Sequence, residues 1–226
     1  MPVDTNSEIE VTAFRWVPPF AEGFVRDMRV RWALEEIGLG YRLRLIGGPD
    51  DRPDNYTLEQ PFGQVPVYKE GDLCLFESGA IVIHIGEKDE RLLPRDPNGR
   101  ARAIMWVIAA LNSIEPQTGQ LVAIDVFGAG SEWGRLRRPE VVELVAARLQ
   151  KLSDWLGEKE WLEGRFTVGD LMMVDALRAL SDQKLIAEHR NLADYVARGT
   201  ARPAFQRALA DQIATFRQHE PEGAAA

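Results

Sequence analysis

Hydrophobic and polar positions follow two different periods along this chain, and the change from one to the other falls near residue 90. Ile9, Val11 and Ala13 alternate with outward positions and predict a first strand. Pro18-Pro19 breaks the chain before a helix over residues 24–37, where Val25, Met28, Trp32 and Ile37 recur at helical spacing and Gly38 and Gly40 close the run. Tyr41, Leu43 and Leu45 then alternate with Arg42 and Arg44, the pattern of a half-buried strand with a polar face. A loop follows at Gly47-Gly48-Pro49-Asp50-Asp51 and Pro53, leaving room for a short helical turn before Pro61. Residues 65–68 and 73–76 are two further strands joined by the turn Lys69-Glu70-Gly71-Asp72, and a helix over residues 78–88 comes next. The predicted order is β-α-β-β-β-α, an α/β unit.

Beyond that point only the helical period remains. Leu93-Pro94-Arg95-Asp96-Pro97 is a linker that ends in a helix start, with Asp96 as N-cap and Pro97 at the first helical position. Helical patterns then cover residues 98–123, 139–156, 168–183, 191–198 and 202–217, and the tail from Glu220 to Ala226 has nothing to bury. The expected organisation is an α/β domain over residues 1–90, a linker over 91–98 and an all-α helical bundle over 99–226.

Composition narrows the function classes. With 45% hydrophobic and 27% charged residues in 226, the chain is globular, neither disordered nor fibrous. A net charge of -8 argues against nucleic acid as the partner, because phosphate binding needs a basic stripe and the one basic cluster, Arg135-Leu136-Arg137-Arg138, reads as a solvated loop and helix start. Cys74 is the only cysteine, which excludes an internal disulfide; in Leu73-Cys74-Leu75-Phe76 it reads as a small buried hydrophobe. No apolar run reaches membrane-spanning length and nothing near the N-terminus resembles a signal core, so the cytoplasm is the expected compartment. His84, His189 and His219 lack paired ligand spacing, and no metal is expected. Gly128-Ala129-Gly130-Ser131 follows a helix and has no lysine, so it is a helix connection and not a phosphate loop. Asp170 and Asp175 lie five positions apart, too far around a helix to form a carboxylate dyad.

Candidate chemistry concentrates in two short motifs. Proline cannot donate to a sheet ladder, so Val65-Pro66 at a strand entrance leaves neighbouring backbone open to another peptide. Glu77-Ser78 opens a helix, where a hydroxyl, unpaired N–H groups and the positive end of the macrodipole attract a carboxylate. Taken singly, Pro66 reads as a trans proline opening a strand and Ser78 as an N-cap; together they suggest a small, peptide-like anion.

The ordered set Val30-Arg31-Trp32-Ala33-Leu34-Glu35-Glu36-Ile37-Gly38, Pro61-Phe62-Gly63-Gln64-Val65-Pro66, Phe76-Glu77-Ser78-Gly79-Ala80-Ile81 and Thr167-Val168-Gly169-Asp170 resembles the glutathione S-transferase family. The resemblance covers nearly the whole chain. It implies a thioredoxin-like N-terminal domain, an all-helical C-terminal domain, and glutathione as co-substrate without a metal. It also implies a cis peptide bond before Pro66 that turns Val65 toward the tripeptide, Ser78 on the γ-glutamyl carboxylate, Glu77 near the ammonium and Gln64 near the glycyl end. The Thr167–Asp170 segment is a structural capping box.

Such enzymes stabilise the glutathione thiolate with a tyrosine, serine or cysteine in the first βα loop, and between Ala13 and Arg31 this chain has none. The loop offers Arg15, Trp16, Phe20 and Arg26, with helix-start amides around residues 20–24, as the thiolate-stabilising set. Against this, Trp16 and Phe20 read equally as packing residues and the arginines as surface residues. The resemblance implies a homodimer and a hydrophobic electrophile bound over the thiolate against the first long helix, which carries Trp106, Ala109, Ala110, Asn112 and Ser113. Three functions remain open: a glutathione transferase serving detoxification, a glutathione-dependent disulfide reductase or peroxidase, and a non-catalytic binding or dimerisation module.

Overall fold

A computed structural model describes residues 3–48, 51–180 and 184–223, which group into two units, Met1–Leu92 with Arg202–Ala226 and Leu93–Ala201. In the first unit, strand β1 (Glu10–Phe14) buries Val11 and Ala13 completely and pairs in parallel with β2 (Arg42–Ile46), Val11 standing opposite Leu43. A parallel pair cannot be closed by a tight turn, and α1 (Asp27–Ile37) makes the crossover. On its other side β1 pairs antiparallel with β3 (Val67–Glu70), which pairs antiparallel with β4 (Leu73–Phe76). The sheet order is β2-β1-β3-β4, and α2 (Ser78–Glu87) follows β4, so the expected β-α-β-β-β-α order of a thioredoxin-like unit holds.

Three sequence expectations change here. Helix α1 starts at Asp27 and not at residue 24, because residues 24–26 form a turn held by the Phe24 N–H on Ala21 O (3.0 Å) and the Met28 N–H on Val25 O (2.9 Å). Cys74 is exposed and not buried: β4 is an edge strand whose Leu73 and Phe76 are also open, and an apolar run does not reveal that its strand lies at a sheet edge. The third change concerns α9 (Pro203–Gln218), expected in the second domain but packed on α1. Its Phe205 meets the edge of Trp32 at 4.9 Å, Arg202 holds Glu36 at 2.6 and 2.8 Å, and Arg207 holds the buried Glu35 at 2.6 Å. Gln212 donates to the Asp27 carboxylate at 2.8 Å, whose other oxygen accepts from the fully buried Arg31 at 2.6 Å. The charged face of α1 finds its partners on α9, which settles where that helix belongs.

The second unit is helical throughout: α3 (Pro97–Ala109), a π segment (Ala110–Ile114), α4 (Glu115–Phe127), α5 (Glu132–Leu156), α6 (Val168–Arg178), α7 (Lys184–Ala187) and α8 (Arg190–Thr200). Every residue of α6 is buried, and Gly169 lets it approach α3 closely, since a Cβ there would stand 2.6 Å from the Trp106 Cβ. The π segment went unpredicted, although Pro116 signals it: lacking an N–H, it leaves the Asn112 carbonyl without its usual donor four residues on. Helix α5 begins at Glu132, before the predicted start at residue 139, because Ser131 caps it with an acceptor for the Gly134 N–H (3.1 Å) and Pro139 is accommodated inside. Arg135, Arg137 and Arg138 therefore lie on α5. The predicted end of the α6 pattern, at residues 181–183, lies outside the described residues. No helix among the described residues is long and apolar enough to cross a membrane.

Glu70 is expected to contribute to acid sensitivity in the first unit. It accepts from Lys88 (2.7 and 2.9 Å) and the Tyr68 hydroxyl (2.9 Å), with His84 at 3.3 Å, and these partners, Lys88 foremost, hold its carboxyl down at about 2. An unfolded glutamate titrates near about 4.3. Because the folded value is the lower one, the stabilisation is fully present above about pH 4.3 and is lost as pH falls toward 2. Urea midpoints measured across this window should fall less steeply for Glu70→Gln than for the parent; parallel curves would show that Glu70 does not drive the loss.

Candidate functional site

A pocket of about 330 Å³ in the first unit gathers Phe14, Phe24, Val25, Arg26, Arg52, Phe62, Gly63, Gln64 and Val65. It forms where the end of β1, the turn before α1 and the segment before β3 meet. The Val65–Pro66 peptide is cis, and β3 starts one residue later, at Val67. Neither the N–H nor the C=O of Val65 has a hydrogen-bond partner among the described residues. The segment is anchored from behind: the Tyr56 hydroxyl donates to the Gln64 carbonyl at 2.6 Å, and Tyr56, Val65, Val67 and Ile46 form one buried cluster with Phe14 and Val25 against it. Burial pushes the Tyr56 hydroxyl up to about 12, so it stays a donor at neutral pH.

The β3–β4 ladder ends with Val67 opposite Phe76, so Pro66 and Glu77 each stand next in the chain to a residue of that last pair. Glu77 is the one non-glycine residue among those described with a positive φ (68°, ψ 111°), at a cost of about 1–3 kcal/mol of the kind found at binding sites. Ser78 follows as the first residue of α2, 4% exposed, and its Oγ accepts a hydrogen bond from Arg29 Nη1 at 3.2 Å. Arg29, on α1, is itself 4% exposed, so a buried cation lies directly behind the serine. The start of α2 thus joins a hydroxyl, a strained backbone turn and a guanidinium within hydrogen-bond reach.

Of the residues singled out from sequence, Arg26, Gln64 and Val65 line the pocket; Pro66 and Glu77 adjoin the Val67–Phe76 pair that ends the β3–β4 ladder, with Ser78 one residue further on. Arg15, Trp16 and Phe20 are not in its lining: Arg15 pairs with Asp51 at 2.7 Å, Trp16 is half-buried, and Phe20 is exposed just ahead of the turn. Sequence reasoning missed Arg29, Arg52 and Tyr56. Arg52 lines the pocket with no hydrogen bond or ion pair among the described residues, and its Nε is buried. Its place beside Gly63 could not be seen from a loop of Asp, Arg and Pro residues. Among the described residues no cluster of His, Cys, Asp and Glu could hold a metal ion.

This chain is similar in sequence and in structure to glutathione transferases. A family model described as the glutathione S-transferase N-terminal domain matches residues 20–87. Glutathione S-transferase F14 of Arabidopsis thaliana is 30% identical over 190 residues, covering 77% of this chain and 75% of that protein. A glutathione S-transferase of Hyoscyamus muticus is 28% identical over 196 residues, covering 80% and 92%. In structure, a glutathione transferase from Burkholderia graminis, crystallised with two glutathione molecules bound per subunit, matches with a TM-score of 0.75 at 27% identity over 89% of this chain and 87% of that one. Poplar glutathione transferase F1 shares the fold, with a TM-score of 0.78 at 24% identity over 92% and 99%. By sequence, fold and motif order together, the chain belongs to the glutathione S-transferase family.

Proposed function

We propose that this protein is a glutathione transferase, which holds glutathione in the pocket of its first unit and stabilises the thiolate for attack on an electrophilic small molecule. The observation that carries the reading is the unpartnered peptide of Val65, facing a pocket whose charged lining residues are the cations Arg26 and Arg52. A tripeptide in extended form can add to that backbone as a strand adds to a sheet edge. Arg52 suits the glycyl carboxylate, Ser78 and the first amides of α2 suit the γ-glutamyl carboxylate with Arg29 behind them, and Glu77 suits the ammonium. A thiol with a pKa near about 8.5 is mostly protonated at neutral pH, and Arg26 with the turn amides at the start of α1 supplies the positive potential that favours the thiolate. A homodimer working in the cytoplasm in detoxification completes this reading, on the family resemblance.

A second reading, glutathione-dependent disulfide reduction, is favoured by the loop without tyrosine, serine or cysteine and by the Burkholderia graminis relative with its two glutathione molecules. In it the bound thiolate attacks a disulfide sulfur, forms a mixed disulfide and expels the other sulfur as a thiolate; a second glutathione releases the product as glutathione disulfide. Calorimetric titration with glutathione, then turnover of a chloronitrobenzene and of a small disulfide, separates the readings. Glutathione should bind, Arg52→Gln should weaken it about tenfold, and conjugation should dominate. No binding at millimolar glutathione would sink both readings, and disulfide turnover far above conjugation would put the second in place of the first.

A further inference from the structure

Helix α9, near the end of the chain, reaches the turn that carries two lining residues of the first unit's pocket. It is tied to α1 at both ends of that helix: Arg202 holds Glu36 near the C-terminus of α1, and Gln212 holds the turn at its start. The second tie bears on the pocket, because Val25 and Arg26 line it and Asp27 is the next residue in the chain.

Gln212 is fully buried, and its amide nitrogen is spent on this turn: Nε2 donates to Asp27 Oδ1 at 2.8 Å and to the Val25 carbonyl at 3.4 Å. Its Oε1 is buried without a partner among the described residues. A side chain needed only to fill space would not carry an orphan acceptor, since an apolar residue of the same length packs without one. Asp27, also fully buried, accepts on its other oxygen from Arg31 Nε at 2.6 Å, so the carboxylate next to the pocket cation Arg26 is held through both oxygens. Val25 links the turn to the cis-proline segment. Its side chain packs against the buried cluster of Ile46, Tyr56, Val65 and Val67, while its carbonyl accepts from the Met28 N–H at 2.9 Å and from Gln212. One buried amide therefore fixes this turn at its backbone and at the first residue of α1.

We propose that Gln212 is a positioning residue of the glutathione site, which touches no ligand and acts through Val25 and Asp27 to hold the Arg26 charge and the turn amides where the thiolate forms. The inference rests on the glutathione reading of the pocket. A developing anion gains most from charges and donors already in place, because none of the stabilisation is then lost in reorganising them. An Asp27 carboxylate stripped of one of its two donors also opposes the thiolate, since a nearby like charge disfavours the ionised form.

The test sets Gln212→Met, which keeps the length of the side chain and removes the donor, beside Arg202→Gln, which loosens α9 about 14 Å along α1 from the turn. Calorimetry of the parent with glutathione comes first, and absence of binding at millimolar concentration sinks the glutathione reading and this inference together. With the parent binding, Gln212→Met should keep the KM for glutathione within about twofold, because Arg52 and Ser78 are untouched. Its kcat with a chloronitrobenzene should fall about tenfold near about pH 7 and recover toward the parent value by about pH 9, as the bound thiol ionises at higher pH. Arg202→Gln should lower the urea midpoint and leave the pH profile where it is. Should Gln212→Met fail to fold, Gln212→Asn, which keeps the amide and draws it back by one methylene, is read in the same way. With glutathione bound by the parent, a Gln212 variant whose pH profile matches the parent's overturns the role of Gln212 alone, whatever stability it loses, and so does an Arg202→Gln profile that moves as far.

Discussion

Asp170→Ala is expected to lower the stability of the second unit by about 3–5 kcal/mol. Both carboxylate oxygens are in use. Oδ1 accepts from the Leu162 N–H at 2.9 Å and the Tyr195 hydroxyl at 3.0 Å; Oδ2 accepts from the Thr167 N–H at 3.0 Å and the Thr167 hydroxyl at 3.1 Å. Burial pushes the carboxyl up from its ordinary value, against the pull of these donors. The alanine variant leaves the Leu162 N–H and the Thr167 N–H inside the protein without a partner, at about 1–3 kcal/mol each before relaxation, and leaves the Tyr195 hydroxyl only the long contact to the Asp170 carbonyl at 3.5 Å. It also removes half of the capping box at the start of α6, a helix buried on every side. Asp170→Asn should recover little, because the amide nitrogen turns a donor toward groups that are themselves donors. Urea unfolding of the two variants checks this, and a loss below about 1 kcal/mol for the alanine would mean the network is not what holds α6 in place.

The second large effect is on binding. Ser78→Ala should raise the dissociation constant for glutathione about 10- to 100-fold, with only a small change in the unfolding midpoint. A serine hydroxyl has one proton to donate, and Ser78 already accepts from Arg29 at 3.2 Å. With no acceptor for that proton among the described residues, it remains available to a ligand carboxylate, and the buried guanidinium polarises it. Loss of this contact should appear as a higher KM for glutathione with little change in kcat, because the carboxylate is remote from the reacting sulfur. A variant that binds glutathione as tightly as the parent would leave Ser78 as a helix cap and nothing more.

These two positions show how unevenly the molecule could be read in advance. Thr167–Asp170 was legible because a capping box is local: residues three apart at a helix start need only each other. The reach of the same carboxylate to Leu162 and Tyr195 was not, since it depends on how α6 lies against α8 and the preceding loop. Val65-Pro66 and Glu77-Ser78 are legible as motifs, and both adjoin the end of a hairpin whose turn is also visible. Arg29 escaped notice because a charged residue on an amphipathic helix ordinarily points to water. Here α1 is covered on nearly all sides, and the charge is turned inward.

Local rules therefore account for the element order, for the family membership carried by the ordered motifs, and for the two ends of the candidate ligand site. Periodicity, caps and turn residues act over a few positions, and these features depend on nothing longer. The assignment of α9 to the first unit, the exposure of Cys74, the place of Arg52 in the pocket lining and the π segment before α4 were settled only in three dimensions. Each of them depends on which surface covers which, and burial of charge or exposure of an apolar strand is a property of the neighbour as much as of the residue.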